Sequence, residues 1–232
     1  MRRLAAALVA CLFAAPLAAQ AGQADPEPIR MVVGDGLVPE GWTVRFDPIV
    51  ARPGEPEPFE PDLASISFHE AYGRFFIASG PPALYYREAD SASGEYTVSA
   101  TFAQSRSMDA GGGYGLFIGG ANLQTPQQDY LTFEIRPIDG SMRITHQTGG
   151  EPRHIIVPWT PHAAVGTERP GGGNAMNELA IRVADDGLHF MANGREVTTI
   201  SREALGETES DGVFGLRINE NLDLMVSDLS LD

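Results

Sequence analysis

The chain has 232 residues and a formal charge of −15, carried by 31 acids against 16 bases that are all arginine. So acidic a surface repels phosphate backbones and excludes nucleic acid as a partner. The length suffices to bury a core without cross-links, and the single cysteine, Cys11, can form no intramolecular disulfide.

The first residues, "MRRLAAALVACLFAAPLAAQAGQ", place two arginines before an apolar run and end in an A-x-A pattern at Ala19, Gln20 and Ala21. That is the anatomy of a secretory signal spanning residues 1–21, with cleavage after Ala21. A lipoprotein reading with Cys11 acylated is disfavoured, because the apolar stretch before Cys11 is very short and the segment after it is still apolar. Loss of Arg2 and Arg3 takes the charge to −17, and periplasmic or secreted localisation follows. No later segment reaches the roughly 18 apolar residues of a membrane span. Residues 22–31 read as a flexible exit, and residues 32–232 as one domain. "RPGEPEPFEP" (52–61) is rich in proline, which cannot donate to a strand ladder, and predicts an extended surface loop.

From residue 96 the sequence alternates persistently. "YTVSATF" (96–102), "YGLFIGG" (114–120), "YLTFEIRP" (130–137), "MRITHQT" (142–148), "HIIV" (154–157) and "NELAIRV" (177–183) read as strands. "LHFMAN", "REVTTI", "GVFGLRIN" and "DLMVSDLSL" continue the series. "SREALG" (201–206) predicts one helical turn, capped by Ser201 and ended by Gly206. Asn193-Gly194 marks a type I′ hairpin. Asp139-Gly140, taken as a second two-residue turn, pairs Ile138 with Ser141, Arg136 with Arg143 and Glu134 with Thr145. Thr132 and Gln147 share that polar face, and Phe133, Ile135, Ile144 and His146 face the core. The fold class is an all-β, two-sheet antiparallel jelly-roll sandwich.

The run "NELAIRV…LHFMANGREV…DGVFGLRI…LMVSDLSL", with "GYGLFIGG" and "DYLTFEIRPIDGSMRI" before it, resembles the concanavalin A-like lectin/glucanase jelly rolls. It looks most like the secreted bacterial branch containing 3-keto-disaccharide hydrolase domains, over about residues 94–232. The resemblance implies two antiparallel sheets and a curved face on which glycans lie. The sequence departs from the family 16 type glucanases of this fold, which carry Glu-x-Asp-x-Glu or Glu-x-Asp-x-x-Glu on one strand. The nearest string, "READSASGE", offers Glu88 and Asp90 without the third acid.

Glycoside cleavage needs two carboxylates, and Glu134 is the first candidate acid/base, with no partner evident. Arg136, Arg143 and Gln147 share its face and suit sugar hydroxyls; Glu134 bridging the two arginines is the expected arrangement. Tyr114, Tyr130 and Trp159 are the candidate stacking rings, the two tyrosines at one groove rim and Trp159 in a Pro-bounded loop, "VPWTPHAAV" (157–165). The five histidines lack zinc spacing. "ETESDG" (207–212), "NENLD" (219–223) and Asp228 offer oxygens for a structural calcium, with no EF-hand pattern. The glycine tracts "DAGGGYG" (109–115) and "RPGGGN" (169–174) match no phosphate cradle and read as flexible loops. Carbohydrate binding on the curved face is the leading function. A glycoside-cleaving enzyme and an envelope protein-interaction domain are the alternatives, and the sequence leaves the oligomeric state open.

Overall fold

A computed structural model describes residues 32, 34–49, 60–106, 112–150, 152–167, 175–206 and 208–232. The expected signal segment with Cys11, the exit expected over residues 22–31, the glycine run 169–174 and most of the proline-rich stretch lie outside these residues. Fourteen strands are present among the described residues. The N-terminal third contributes β1 (Thr43–Phe46), β2 (Ser67–Ala71), β3 (Arg74–Ala78) and β4 (Ala83–Ala92). The ten anticipated strands follow as β5 (Tyr96–Arg106), β6 (Tyr114–Ala121), β7 (Asp129–Arg136), β8 (Ser141–Thr148) and β9 (His154–Pro161). Then come β10 (Ala175–Ala184), β11 (Gly187–Ala192), β12 (Arg195–Ser201), β13 (Gly212–Ile218) and β14 (Asp223–Leu231). The predicted turn of helix is α1 (Arg202–Leu205); the Ser201 hydroxyl accepts the Ala204 amide at 3.2 Å and Gly206 stands at φ 60°.

The strands form two antiparallel seven-stranded sheets. The front sheet runs β1-β4-β13-β6-β7-β8-β9 and the back sheet β12-β11-β10-β5-β14-β3-β2. One apolar core lies between them, as the alternation requires: Tyr85, Leu116, Phe133, Ile135, Ile144 and Leu216 meet Val98, Phe102, Leu179, Ile181, Phe190 and Val226. Phe133 and Phe190 bridge the layers edge to face at 5.4 Å. A second cluster, Leu84, Tyr86, Phe117, Leu123 and Tyr130, lies apart from this core. It occupies the opposite, outer face of the front sheet, since these strand residues alternate with core-facing neighbours.

Asn193 and Gly194, at φ 52° and 71°, close the β11–β12 hairpin with Ala192 opposite Arg195. Both central residues are left-handed, as a type I′ turn demands. The β7–β8 connection departs from expectation. It is a four-residue turn, Pro137 to Gly140, in which Gly140 has positive φ and Asp139 does not. Register therefore moves by two: Arg136 faces Ser141, Glu134 faces Arg143, Thr132 faces Thr145 and Tyr130 faces Gln147. A shift of two keeps every side chain on its predicted face, and it replaces an Arg–Arg pairing by Glu134 opposite Arg143. Trp159 also departs from expectation, since it lies within β9 and not in a loop. β9 is the edge of the front sheet, where Pro158 and Pro161 forfeit no essential ladder bond.

Candidate functional site

The outer face of the front sheet carries a buried charged layer. It rests on β1, β13, β7 and β8, whose outward positions fall on alternate residues. Arg217 sits between core-facing Leu216 and Ile218 and is only 1% exposed. It donates to both oxygens of Asp47, Nη1 to Oδ1 at 2.9 Å and Nη2 to Oδ2 at 2.6 Å, the bidentate geometry in which a guanidinium binds a carboxylate best. The same Asp47 accepts from Arg153 at 3.0 Å and from Arg45 at 3.4 Å. Arg217 also donates to the Asn219 amide oxygen at 2.9 Å, and the Asn219 nitrogen donates to Glu134 at 2.6 Å. Glu134 completes its shell with Arg143 at 2.8 Å and the Thr132 hydroxyl at 2.9 Å. One network thus runs from Arg45 through Asp47, Arg217, Asn219 and Glu134 to Arg143.

Two glycines admit this layer. Gly115 lies opposite Glu134, and a Cβ there would run into the Phe133 carbonyl and the Glu134 backbone. A Cβ at Gly113 would meet the Trp159 ring. The described part of the first glycine tract is therefore packed against its neighbours, not a flexible loop.

Burial pushes the Glu134 carboxyl up, but Arg143, Arg217 and Arg153 with the Asn219 amide outweigh it and hold the group at about 2. Asp47 behaves alike: burial raises it, and Arg217, Arg153 and Arg45 bring it down to about 2. For Arg217 burial opposes the charge, yet Asp47 and Glu134 hold the guanidinium firmly protonated. Both acids are ionised at neutral pH, and Glu134 is 0% exposed.

Above the network lies a groove of about 620 Å³, within the roughly 300–1,000 Å³ of ligand sites. Arg45, Asp47, Arg143 and Arg153 supply its charges, and Gln128, Tyr130, Thr145 and Gln147 its neutral polar groups. Pro48, Pro152 and Ile155 supply its apolar wall.

The predicted site residues separate on this surface. Arg143, Tyr130 and Gln147 line the groove, and Glu134 lies beneath it. Glu134 does not fit a general acid, being buried, ionised and hydrogen-bonded at both oxygens. Nor does it bridge the two arginines, because Arg136 pairs with Asp139 in the turn, at 3.1 Å from its Nε. Tyr114 is wholly buried in the core, stacked on Phe102 at 5.0 Å, and shares no rim with Tyr130. Tyr130 is 1% exposed, its ring against Phe117 and its hydroxyl accepting from Arg153 at 3.3 Å. Trp159 is half-buried, with the guanidinium of Arg143 at 4.4 Å and that of Arg136 at 4.6 Å from its ring. It orients Arg143 rather than offering a free platform.

Glu88 is exposed on β4 and Asp90 pairs with Arg87 at 2.6 Å, apart from the groove. His146 is hydrogen-bonded to Asp129 at 2.8 Å. Among the described residues no group of three or more His, Cys, Asp or Glu side chains gathers as a metal site, and no helix is long and apolar enough to cross a membrane.

Asp47, Arg45, Arg153 and Arg217 were not singled out from the sequence, and Asn219 entered only within "NENLD", as an oxygen donor for calcium. Arg217 left a signal, a lone charge between two apolar residues of a strand with Asn two positions on. Asp47 and Arg153 left none, since they meet from 106 residues apart.

No family model and no curated protein matches the chain. Solved structures do. The carbohydrate binding module CBM66 from Bacillus subtilis aligns with a TM-score of 0.57 at 10% identity, over 87% of this chain and 99% of that one. A glycoside hydrolase family 16 endo-glucanase from Bacteroides ovatus aligns at 0.54 and 9% identity, over 84% and 97%. A second Bacteroides ovatus family 16 structure, from a mixed linkage glucan locus and in complex with its product, aligns at 0.51 and 10% identity, over 82% and 94%. The fold is a concanavalin A-like jelly-roll sandwich.

Proposed function

We propose that this protein binds carbohydrate in the groove on the outer face of the front sheet and does not cleave it. The observation that carries the reading is the groove's lining. Amides from Gln128 and Gln147 and guanidiniums from Arg45, Arg143 and Arg153 converge on one cleft of ligand size, above the buried hydroxyls of Tyr130 and Thr145. Such groups match the dense donor and acceptor pattern of a sugar. The fold likeness to a carbohydrate binding module and to endo-glucanases is in keeping with it.

Cleavage requires an acid that is protonated at working pH, facing a second carboxylate. Among the described residues Asp47 is the one carboxylate lining the groove, and its arginines hold it at about 2. Glu134 lies under the wall in the same state. Both serve to fix arginines in place. Export through the N-terminal signal belongs to the same proposal, and N-terminal sequencing of protein from a periplasmic fraction, beginning at Gly22, checks it.

A thermal-shift screen against soluble oligosaccharides tests binding. A ligand at about 100 times its Kd adds about 2.7 kcal/mol, which at roughly 2–4 °C per kcal/mol raises Tm by about 5–10 °C. A panel of neutral and acidic sugars that leaves Tm unmoved contradicts the reading.

A further inference from the structure

We propose that the groove selects an acidic sugar, whose carboxylate or sulfate is held by Arg45, Arg143 and Arg153; this rests on the carbohydrate reading above. The local charge is the first observation. The chain as a whole carries −15, yet four guanidiniums meet here, those of Arg45, Arg143, Arg153 and Arg217. Among the described residues they face only two carboxylates, and Asp47 is shared by three of them. A cationic cleft in an acidic molecule concentrates small anions locally while the distant field turns large polyanions away.

The second observation is where the donors point. Among the described residues Arg143 donates through Nη2 alone, to Glu134, and Arg153 through Nη2 alone, to Asp47 and Tyr130. The Nε of each is buried without a hydrogen-bond partner. A guanidinium carries five N–H groups in a planar fork that fits a carboxylate or sulfate edge. Anchored through one nitrogen by Glu134 or Asp47, each fork is partly exposed, keeps donors for a ligand and loses little freedom on binding one.

The third observation is the lack of a stacking face. Tyr130 is the one aromatic residue lining the groove among the described residues, and its ring is 1% exposed. A neutral sugar would find few C–H contacts beyond Ile155 and the prolines, whereas an acidic one finds charge-assisted hydrogen bonds, which are about twice as strong as neutral ones.

The test is calorimetric titration of the protein with matched pairs: a short oligogalacturonate and its methyl ester, and a sulfated oligosaccharide and its desulfated parent. The expected result is that one acidic member binds at least about 10-fold tighter than its neutral partner, the value of one charged hydrogen bond, with affinity falling as salt rises. Arg153→Gln is expected to remove about 10-fold of that preference, while Asp47 keeps Arg217 and Arg45. Which pair responds distinguishes a carboxylate from a sulfate ligand. Equal or tighter binding of the neutral members overturns the inference and leaves carbohydrate binding standing. Binding of no member overturns both, and so does inorganic sulfate binding as tightly as the sulfated sugar.

Discussion

The two faces of the β7–β8 hairpin are equally buried by opposite means. On one, Phe133, Ile135 and Ile144 are 0% exposed because the back sheet covers them; on the other, Thr132, Glu134 and Thr145 are 0% exposed with no sheet above them. The polar face is closed by its own neighbours: Arg143, Arg217 and Asn219 fold over Glu134 and hydrogen-bond to it or to one another. An apolar face needs only volume. A charged face needs its acids matched, and here both oxygens of Glu134 and of Asp47 are, which holds the arginines in place at the floor of a groove.

The largest expected effects strike both faces alike. Phe133→Ala opens a core cavity and costs about 3–5 kcal/mol. Glu134→Ala costs a similar ~3–5 kcal/mol, because buried Arg217 and half-buried Arg143 are left with one acid fewer. Chemical denaturation measures both, and a Glu134→Ala loss below about 0.5 kcal/mol, that of an ordinary surface site, breaks the comparison. The double variant Glu134→Met with Arg143→Met sharpens it, since removing both charges is expected to recover much of the loss.

Acid separates the faces next. Glu134 is held at about 2 against an ordinary 4.5. A depressed carboxyl contributes fully above its unfolded value and loses that contribution as pH falls through its folded one, here between about 5 and 2. The shift corresponds to about 3 kcal/mol. Asp47, at about 2 against 3.8, adds to the loss in the same window. Phe133→Ala leaves this slope unchanged, and Glu134→Ala flattens it, in stability measured across that range.

The smallest effects lie at the rim and at a turn remote from the groove. Gly194→Ala forces a side chain into the left-handed region at φ 71° and costs about 1–2 kcal/mol. Arg153→Gln costs about 1 kcal/mol or less, since its guanidinium is partly exposed and Asp47 keeps two arginines. Thermal melts rank the two. A large destabilisation by Arg153→Gln would make that residue a part of the frame and not of the recognition surface.

What the sequence disclosed follows from which interactions are local. Alternation in "YLTFEIR" and "MRITHQT" assigned both hairpin faces, and Asn193-Gly194 fixed its own turn, because both signals are complete within a few residues. The register of β7 on β8 slipped by two, since Pro137 to Gly140 closes a wider turn than Asp139-Gly140 alone suggests. Tyr114 was misplaced because "YGLFI" is apolar on both faces, so its parity with core-facing Leu116 and Ile118 carries no contrast. β1 to β4 went unassigned, their alternation being broken by "GPPALYYREADS" and the proline-rich stretch. The Asp47 cluster was illegible for a stronger reason: Arg153, just before β9, and Arg217, on β13, reach it from far along the chain, and no local pattern records that meeting.

Mapping the ligand on the molecule tests the central claim most directly. Isotope-labelled protein would be titrated with the tightest-binding oligosaccharide while backbone amide resonances are followed. The account predicts shifts concentrated at Tyr130, Thr145, Gln147 and Arg153, with the back sheet around Thr199 unmoved. Shifts centred on the back sheet, with those four resonances still, would contradict it.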